Sequence, residues 1–334
     1  MKSLQHHWYR SSNLLWLLLP VSWLYCFVVI IRRRLYQLKI IKSYGSHVPV
    51  IVIGNIVVGG SGKTPLLISL CEYLIEKGFN PGVVSRGYGG SVTEIKQISA
   101  TDTAAMVGDE PLMVYQKTKV PVVVGTDRAA AVKYLVDNNL CDVVLSDDGL
   151  QHYRMQRDFE VAVVDSGRRY GNGFCLPAGP LRERISRLDD VDMVVFNGDT
   201  GVNSNECSYQ LQVTSLRQLT GNVDQTFSSF TDKTIHAVAG IGDPSRFFTL
   251  LQTNGLSIVE HAFSDHYCYQ QNDFEGWSDD CIIMTEKDAV KCRHLSLTDA
   301  WVLSVKAVFS DELESSLSSD LLPLLKRNNS SVSV

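Results

Sequence analysis

The stretch that most narrows the choice of fold runs from Val48 to Asn80, "VPVIVIGNIVVGGSGKTPLLISLCEYLIEKGFN". An unbroken β-branched apolar run gives way to glycines, which reads as a buried strand feeding a loop. Apolar residues at helical spacing follow, with Pro65 near the first turn and Gly78 as the stop. Between strand and helix the pattern G-x-x-x-x-G-K-[ST] is met at every fixed position but the first, where Val57 replaces glycine. Across Val57, Val58, Gly59, Gly60, Ser61, Gly62, Lys63 and Thr64, backbone N–H groups and the helix N-terminus would cradle phosphate. Lys63 would reach the β and γ oxygens, and the Thr64 hydroxyl would ligate magnesium. The plainer alternative is a glycine-rich turn that merely closes a strand–helix unit. The strand before it and the helix after it favour nucleotide phosphate.

Further strands are expected at Gly82–Ser85, Val120–Gly125, Cys141–Gly149, Glu160–Gly167 and Asp192–Gly198, with helical patterns such as "DRAAAVKYLVDNN" between several of them. Buried strands alternating with helices predict a mainly parallel, doubly wound α/β sheet with ligands at the carboxyl ends of its strands. After Gly198 the chain turns polar and alternating, which suggests a linker with an antiparallel ribbon. A second α/β unit begins at "TIHAVAGIGDPSRFF". The expected division is 1–42 for an N-terminal helix and basic flank, 43–205 for the phosphate-loop domain, 206–233 for the ribbon, 234–328 for a smaller α/β domain and 329–334 for a frayed tail.

The leader carries "LLWLLLPVSWLYCFVVII", Leu14 to Ile31, followed by Arg32, Arg33 and Arg34, and no Asp or Glu occurs before Glu72. At 1.5 Å per residue this run reaches roughly 27 Å, the short end of what crosses a bilayer. The triple arginine places its C-terminal side in the cytoplasm. A signal peptide would need a cleavage site, which is missing, and a buried core helix would rarely be apolar all round. Spanning the bilayer and lying in one leaflet stay open. The overall charge of -5 argues against a nucleic-acid partner. The eight cysteines form no C-x-x-C pair, so neither a zinc nor a redox framework is expected.

Asp147 and Asp148, after the strand in "VVLSDDGLQH", stand where a phosphate-loop protein keeps its magnesium acid, although a turn with a helix cap would use the same residues. Asp109 and Glu110 in "MVGDEP" suit a helix N-terminus, and they also offer a base for an alcohol and an acid for the metal shell. Arg86 and Tyr88 in "SRGYGG", and Arg182, Arg184 and Arg187 in "LPAGPLRERISR", are candidates for gripping an anionic substrate. His266 in "FSDHY" would more often be structural. "TEKD" at Thr285–Asp288 has the wrong spacing for a nucleobase-reading motif.

Taken in order, "GNIVVGGSGKTP", "SRGYGG", "VGDEP", "DDGLQH", "LPAGPLRE", "AGIGDPSRFF", "FSDHY" and "TEKDAVK" resemble the tetraacyldisaccharide 4'-kinases, the lipid A 4'-kinases of Gram-negative bacteria. The likeness covers nearly the whole chain, and the leading loop position in that family is commonly not glycine. It implies two Rossmann-like α/β domains of the phosphate-loop type, joined by a β-ribbon and preceded by a membrane helix. It further implies ATP- and Mg2+-dependent phosphorylation of the 4'-hydroxyl of a lipid-linked disaccharide 1-phosphate at the cytoplasmic face of the inner membrane. A monomer is expected. By motif position Asp109 matches the family's base and His266 the histidine paired with it. Lys63 and Thr64 match its phosphate and magnesium residues, and Asp147, Asp148 and Glu110 match acids around the metal. Arg86, Tyr88, Gln151, His152 and Arg182 fall in family motifs and are expected near substrate. With Asp109 assigned to the first domain and His266 to the second, the pair is expected to form only on domain closure. The rival reading is a membrane-associated phosphate-loop ATPase or GTPase that acts as a switch or maturation factor and releases its phosphate to water.

Overall fold

The computed structural model describes residues 8–9, 13–199, 206–221 and 223–330 of the 334. Lys2, Arg10 and the last four residues of the expected tail lie outside them. Running along the chain, helix α1 (Leu19–Gln37) precedes strand β1 (Val50–Gly54), helix α2 (Lys63–Glu76) and strand β2 (Pro81–Ser85). Strand β3 (Lys96–Gln97), helix α3 (Asp109–Thr118) and strand β4 (Val122–Val124) come next. Helix α4 (Arg128–Asp137) and strands β5 (Val143–Asp147), β6 (Phe159–Asp165) and β7 (Met193–Asn197) follow. Then come β8 (Ser208–Gln218), β9 (Asp224–Gln225), β10 (Thr234–Ala239), helix α5 (Pro244–Thr253) and β11 (Ser257–Ala262). The last elements used below are β12 (Cys281–Thr285), helix α6 (Glu286–Cys292) and β13 (Asp299–Phe309). A terminal helix, Leu322–Ser330, carries regular structure into what was expected to be tail.

The chain folds into two compact units. One gathers 1–86, 127–210 and 307–334, and the other 87–126 and 211–306. This grouping departs from a division in chain order. The 87–126 segment belongs with the second unit, where Lys117 Nζ reaches the Val305 carbonyl at 2.9 Å and the Glu286 carboxylate at 2.6 Å.

In the first unit β1 pairs in parallel with both β5 and β6, β5 with β2, β6 with β7, and β7 with the start of β8. Every residue of β1, β2, β5 and β6 is buried, the signature of strands covered on both faces. Asp127 caps α4, its carboxylate accepting from the amides of Ala129 and Ala130 at 3.1 and 3.3 Å, so the helix starts where the charge–apolar pattern predicts. The carboxyl ends of the parallel strands carry Ser85, Asp147, Asp165 and Asn197, all buried, so the polar residues collect at the edge where such sheets bind ligands.

Helix α1 buries only Leu19, Ser22 and Cys26 along one line, while Trp16, Leu17, Trp23, Leu24, Phe27 and Val28 stay exposed. Ser22 donates to the Cys175 carbonyl at 2.7 Å, and the Tyr25 hydroxyl donates to the Arg182 carbonyl at 3.1 Å. The most apolar 18-residue stretch of the helix Leu15–Gln37 has a mean hydropathy of 2.0, yet only 22% of it is buried.

In the second unit β10 pairs in parallel with β11 and β12, and β12 with β13. Alternate residues face opposite layers. Ile235, Ala237, Ile283 and Trp301 pack against Phe247, Phe248 and Leu251 of α5, and Val238, Ile282, Met284 and Ala300 pack against Tyr269, Phe274 and Ala289. The expected ribbon is present as the antiparallel pairing of β8 with β9, Leu216 opposite Gln225.

Candidate active site

The first unit builds its phosphate loop by pinning each turn from outside. Ile56 to Val58 run extended against 180–182: the Arg182 amide donates to the Ile56 carbonyl at 2.7 Å and the Val58 amide to the Pro180 carbonyl at 2.8 Å. Val57 forms an isolated bridge with Leu181 and packs on the Cys26, Ile56, Cys175 and Leu181 cluster. That explains the missing glycine, because this position is extended and half-buried, where a β-branched residue is favoured. The turn proper belongs to Gly59 and Gly62, at φ +106° and +87°. A Cβ on Gly62 would also meet the Tyr209 hydroxyl at 2.2 Å and Asn197 Nδ2 at 2.3 Å, whereas one on Gly60 would meet nothing within 4 Å. Tyr209 donates to the Gly62 carbonyl at 2.6 Å and Asn197 to the Ser61 carbonyl at 3.2 Å, while Arg168 donates to the Gly60 carbonyl. With these carbonyls turned into protein, the amides at the start of α2 are left to face an anion.

Lys63 opens α2, its ammonium 3.4 Å from Asp148. Asp148 follows β5 at φ +49°, a left-handed conformation that aspartate tolerates better than most residues. Both its oxygens accept from Arg182 at 2.9 Å, and its carbonyl accepts from buried Arg128 at 2.6 Å. Burial works to raise the Asp148 pKa, but Lys63, Arg182 and Arg128 outweigh it and hold the group at about 2, so it stays ionised. Asp147 is buried at the end of β5 and accepts from the Ser85 hydroxyl at 3.3 Å.

Thr64, Asp147 and Asp148 offer only hard oxygen donors, which fits Mg2+. No cluster of three or more metal-binding His, Cys, Asp or Glu side chains is preassembled among the described residues. Magnesium needs none, because it keeps much of its shell as water and phosphate oxygens.

Gln151 is committed to protein, donating to the Asn55 carbonyl at 3.1 Å and to Glu183 at 2.8 Å, so it braces the loop. Burial, with Arg128 nearby, pushes the His152 pKa down to about 4, leaving a neutral ring whose buried Nε2 has no hydrogen-bond partner among the described residues. Arg86, just after β2, is exposed.

The second unit holds Tyr88, Asp109, Glu110 and His266. Asp109 opens α3 after Gly108, whose φ of +91° and close approach to the Tyr88 carbonyl exclude a side chain there. It is 4% exposed. His266 Nδ1 lies 2.9 and 3.1 Å from its two oxygens, and the Tyr88 ring meets the imidazole edge-on at 4.9 Å between centroids. His266 itself stands at φ +59°. A histidine held in that sparsely populated region marks a turn shaped for its side chain. Both partners therefore sit in one compact unit, and the pair forms there without any domain closure. The grouping of 87–126 with 211–306 is the reason for this difference from the sequence-based expectation.

Burial works to raise the Asp109 pKa, but the His266 hydrogen bond and the charges of Lys287, His266 and Lys291 win, and the net shift is downward. The hydrogen bond that His266 donates to Asp109 raises the His266 pKa against burial and Lys287.

Lys287 is the residue that sequence reasoning missed. On the first turn of α6, its largely buried ammonium lies 2.7 Å from Glu110, 2.9 Å from Asp265 and 3.9 Å from Asp109. Burial opposes its charge, yet the three carboxylates raise its pKa. Glu110 thus has a cation of its own. The signal lay in "TEKD", dismissed for its spacing from one known motif.

The model of the LpxK family, tetraacyldisaccharide-1-P 4'-kinase, matches residues 14–322. A tetraacyldisaccharide 4'-kinase of Hahella chejuensis is 46% identical over 308 residues, covering 90% of each chain. One of Coxiella burnetii is 45% identical over 310 residues, covering 92% of this chain and 91% of its own. One of Methylobacillus flagellatus is 41% identical over 326, covering 97% and 96%. Among solved structures, the "apo" form of LpxK from Aquifex aeolicus in complex with ATP superposes with a TM-score of 0.79 at 25% identity, covering 94% of this chain and 99% of that one.

Proposed function

The chain belongs to the tetraacyldisaccharide-1-P 4'-kinase family, and we propose that its two residue clusters divide that family's reaction into a donor half and an acceptor half. The reaction is phosphoryl transfer to an alcohol in lipid A biosynthesis. The donor is ATP, as in the Aquifex aeolicus relative. Its β and γ phosphates lie along the amides of Gly59 to Thr64, with Lys63 on the oxygens and the α2 N-terminus behind them. Thr64, Asp147 and Asp148 would hold Mg2+, which neutralises charge between the phosphates when bound. Arg182 orients Asp148 rather than reaching for substrate, since both of its contacts to that carboxylate are already made.

Asp109 serves the acceptor. A sugar hydroxyl is a weak nucleophile, and a carboxylate that stays ionised can take its proton as the bond to phosphorus forms. His266, charged by its partnership with Asp109, keeps the carboxylate ionised and aimed, while Lys287 holds Glu110 and Asp265 around it. The acceptor is the 4'-hydroxyl of a lipid-linked disaccharide 1-phosphate, reached at the cytoplasmic face of the inner membrane. The exposed apolar side of α1 supports that location, with Arg32 to Arg34 at its cytoplasmic end.

The observation that carries the reading is the buried Asp109–His266 pair. Such a base could take a proton from water as readily as from an alcohol, and it is the family's acceptor that makes its partner the sugar hydroxyl. Lys63→Ala tests the donor half: phosphate transfer should fall by at least about 100-fold with thermal stability retained, since the lysine's task is transition-state charge. Full transfer by that variant would remove the assignment.

A further inference from the structure

A cleft of about 330 Å³ lies within the first unit, lined on one side by Cys26, Val29, Ile30, Arg33 and Arg34 of α1 and on the other by residues between Cys175 and Asp190. Of its lining, the phosphoryl-transfer scheme uses only Arg182, turned toward Asp148. Its wall holds five arginines against three carboxylates. Three of the five are committed: Arg182 to Asp148, Arg187 to Glu160 at 2.6 Å and Arg33 to Asp190 at 2.8 Å. The other two are not. The Arg34 guanidinium donates to the Gln37 amide oxygen at 3.3 Å, and the exposed Arg184 guanidinium has no hydrogen bond or ion pair among the described residues. After pairing, Arg34 and Arg184 remain beside exposed Asp189, because the third wall carboxylate, buried Glu183, faces Arg187 at 3.8 Å and accepts from Gln151 and Tyr153; with five guanidiniums against three carboxylates the wall keeps an excess of positive charge.

The cleft's level along α1 says what kind of anion it meets. From Trp16 to Ile31 the exposed side chains are apolar, and Arg32 begins the next turn. Val29 and Ile30 on one side of that boundary, and Arg33 and Arg34 on the other, both line the cleft. In a helix seated in a bilayer this boundary lies at the depth of the lipid phosphates. An apolar wall running into a pair of free guanidiniums matches a phosphate attached to a lipid, and arginine's planar fork suits phosphate oxygens.

We propose that this cleft binds the phosphate of a lipid, gripped by Arg34 and Arg184. The proposal rests on the membrane placement of α1 in the kinase reading. The phosphate has two sources, the acceptor's own 1-phosphate or an anionic phospholipid of the bilayer, and the two respond differently to the same variants.

Full-length protein carrying Arg34→Gln with Arg184→Gln is compared with wild type, with Arg184→Glu and with a control, Arg32→Gln, whose arginine is outside the cleft lining. Melting temperatures establish folding. Transfer to a disaccharide 1-phosphate in neutral detergent is measured beside sedimentation with phosphatidylcholine vesicles, with and without phosphatidylglycerol. If the acceptor phosphate is the ligand, KM for the acceptor rises by about 10-fold or more on losing these charged contacts while kcat holds. If a phospholipid is the ligand, KM in detergent is unchanged and binding to phosphatidylglycerol vesicles falls about as far while binding to neutral vesicles holds. No change in either measurement, or an equal loss in Arg32→Gln, overturns the proposal. The vesicle arm needs no turnover, so a wild-type protein that failed to phosphorylate lipid would overturn the kinase reading and leave the cleft still testable.

Discussion

The Asp109–His266 pair makes a quantitative demand on mutant kinetics. Asp109→Asn removes the base and should lower kcat by about 10²- to 10⁴-fold, the usual worth of general-base catalysis. His266 acts only through Asp109, by a charge-assisted contact of 2.9 Å to a nearly buried oxygen. Such a bond contributes about 1.5–3 kcal/mol, so His266→Ala should cost roughly 10- to 150-fold. Independent effects would multiply to about 10³- to 10⁶-fold. In a coupled pair the histidine has nothing left to hold once Asp109 is gone, and the double variant should be no slower than Asp109→Asn by more than about threefold. Initial rates of transfer from γ-labelled ATP, at saturating ATP and acceptor, measure all four corners. The pH profile separates positioning from mere support. Without His266, burial is less opposed, and the acid limb of kcat/KM should move to higher pH. A double-variant defect equal to the product of the singles, with the acid limb unmoved, refutes the reasoning.

The same pair should leave its mark on stability. The raised pKa of His266 contributes stability that is fully present below the unfolded value near pH ~6.5 and is lost as pH rises through the folded value. The depressed pKa of Asp109 contributes above pH ~3.9 and is lost as pH falls through its lower folded value. Urea midpoints between pH 6 and 9 should therefore decline for the wild type and flatten in His266→Ala; parallel slopes would contradict the linkage. Lys287→Met strands three carboxylates around a hole, and breaking a buried ion pair in this way costs about 3–5 kcal/mol. Chemical denaturation showing under 1 kcal/mol of loss would contradict it. In the phosphate loop, Gly62→Ala meets Tyr209 and Asn197 at under 2.5 Å and should destabilise the protein and abolish ATP protection against thermal unfolding. Gly60→Ala should keep its melting temperature within about 5 °C, because no φ or contact opposes a methyl there. Equal damage from both would mean the loop is held by something other than these contacts.

What was legible in the sequence is what local chemistry determines. The strand–glycine–helix passage at β1 and α2 and the acids at the end of β5 each depend on neighbours within a few residues, and all stand where the pattern puts them. The Asp109–His266 contact spans 157 positions, and only the ordered motifs of a family could suggest it. Its placement within one compact unit was hidden, because chain order assigns Asp109 to the first domain while packing through Lys117 assigns it to the second. Val57 looked like a defect for a related reason. Its partner across the bridge, Leu181, is 124 positions away, and without that bridge nothing marks the position as extended. Lys287 escaped because a lysine between two acids on a helix reads as a solvated surface charge. It becomes a buried counter-ion only when Glu110 and Asp265 arrive from distant segments.

In this family's reaction phosphate leaves ATP for a lipid-linked sugar hydroxyl and not for water. Purified full-length protein, incubated with γ-labelled ATP, Mg2+ and detergent-dispersed disaccharide 1-phosphate, answers it directly when the products are separated and the site of label is read. The expected product is a disaccharide carrying label at the 4'-position, with negligible label in inorganic phosphate and none in either product for Asp109→Asn beyond its residual rate. Label recovered only as inorganic phosphate, at a rate indifferent to the acceptor, would contradict it.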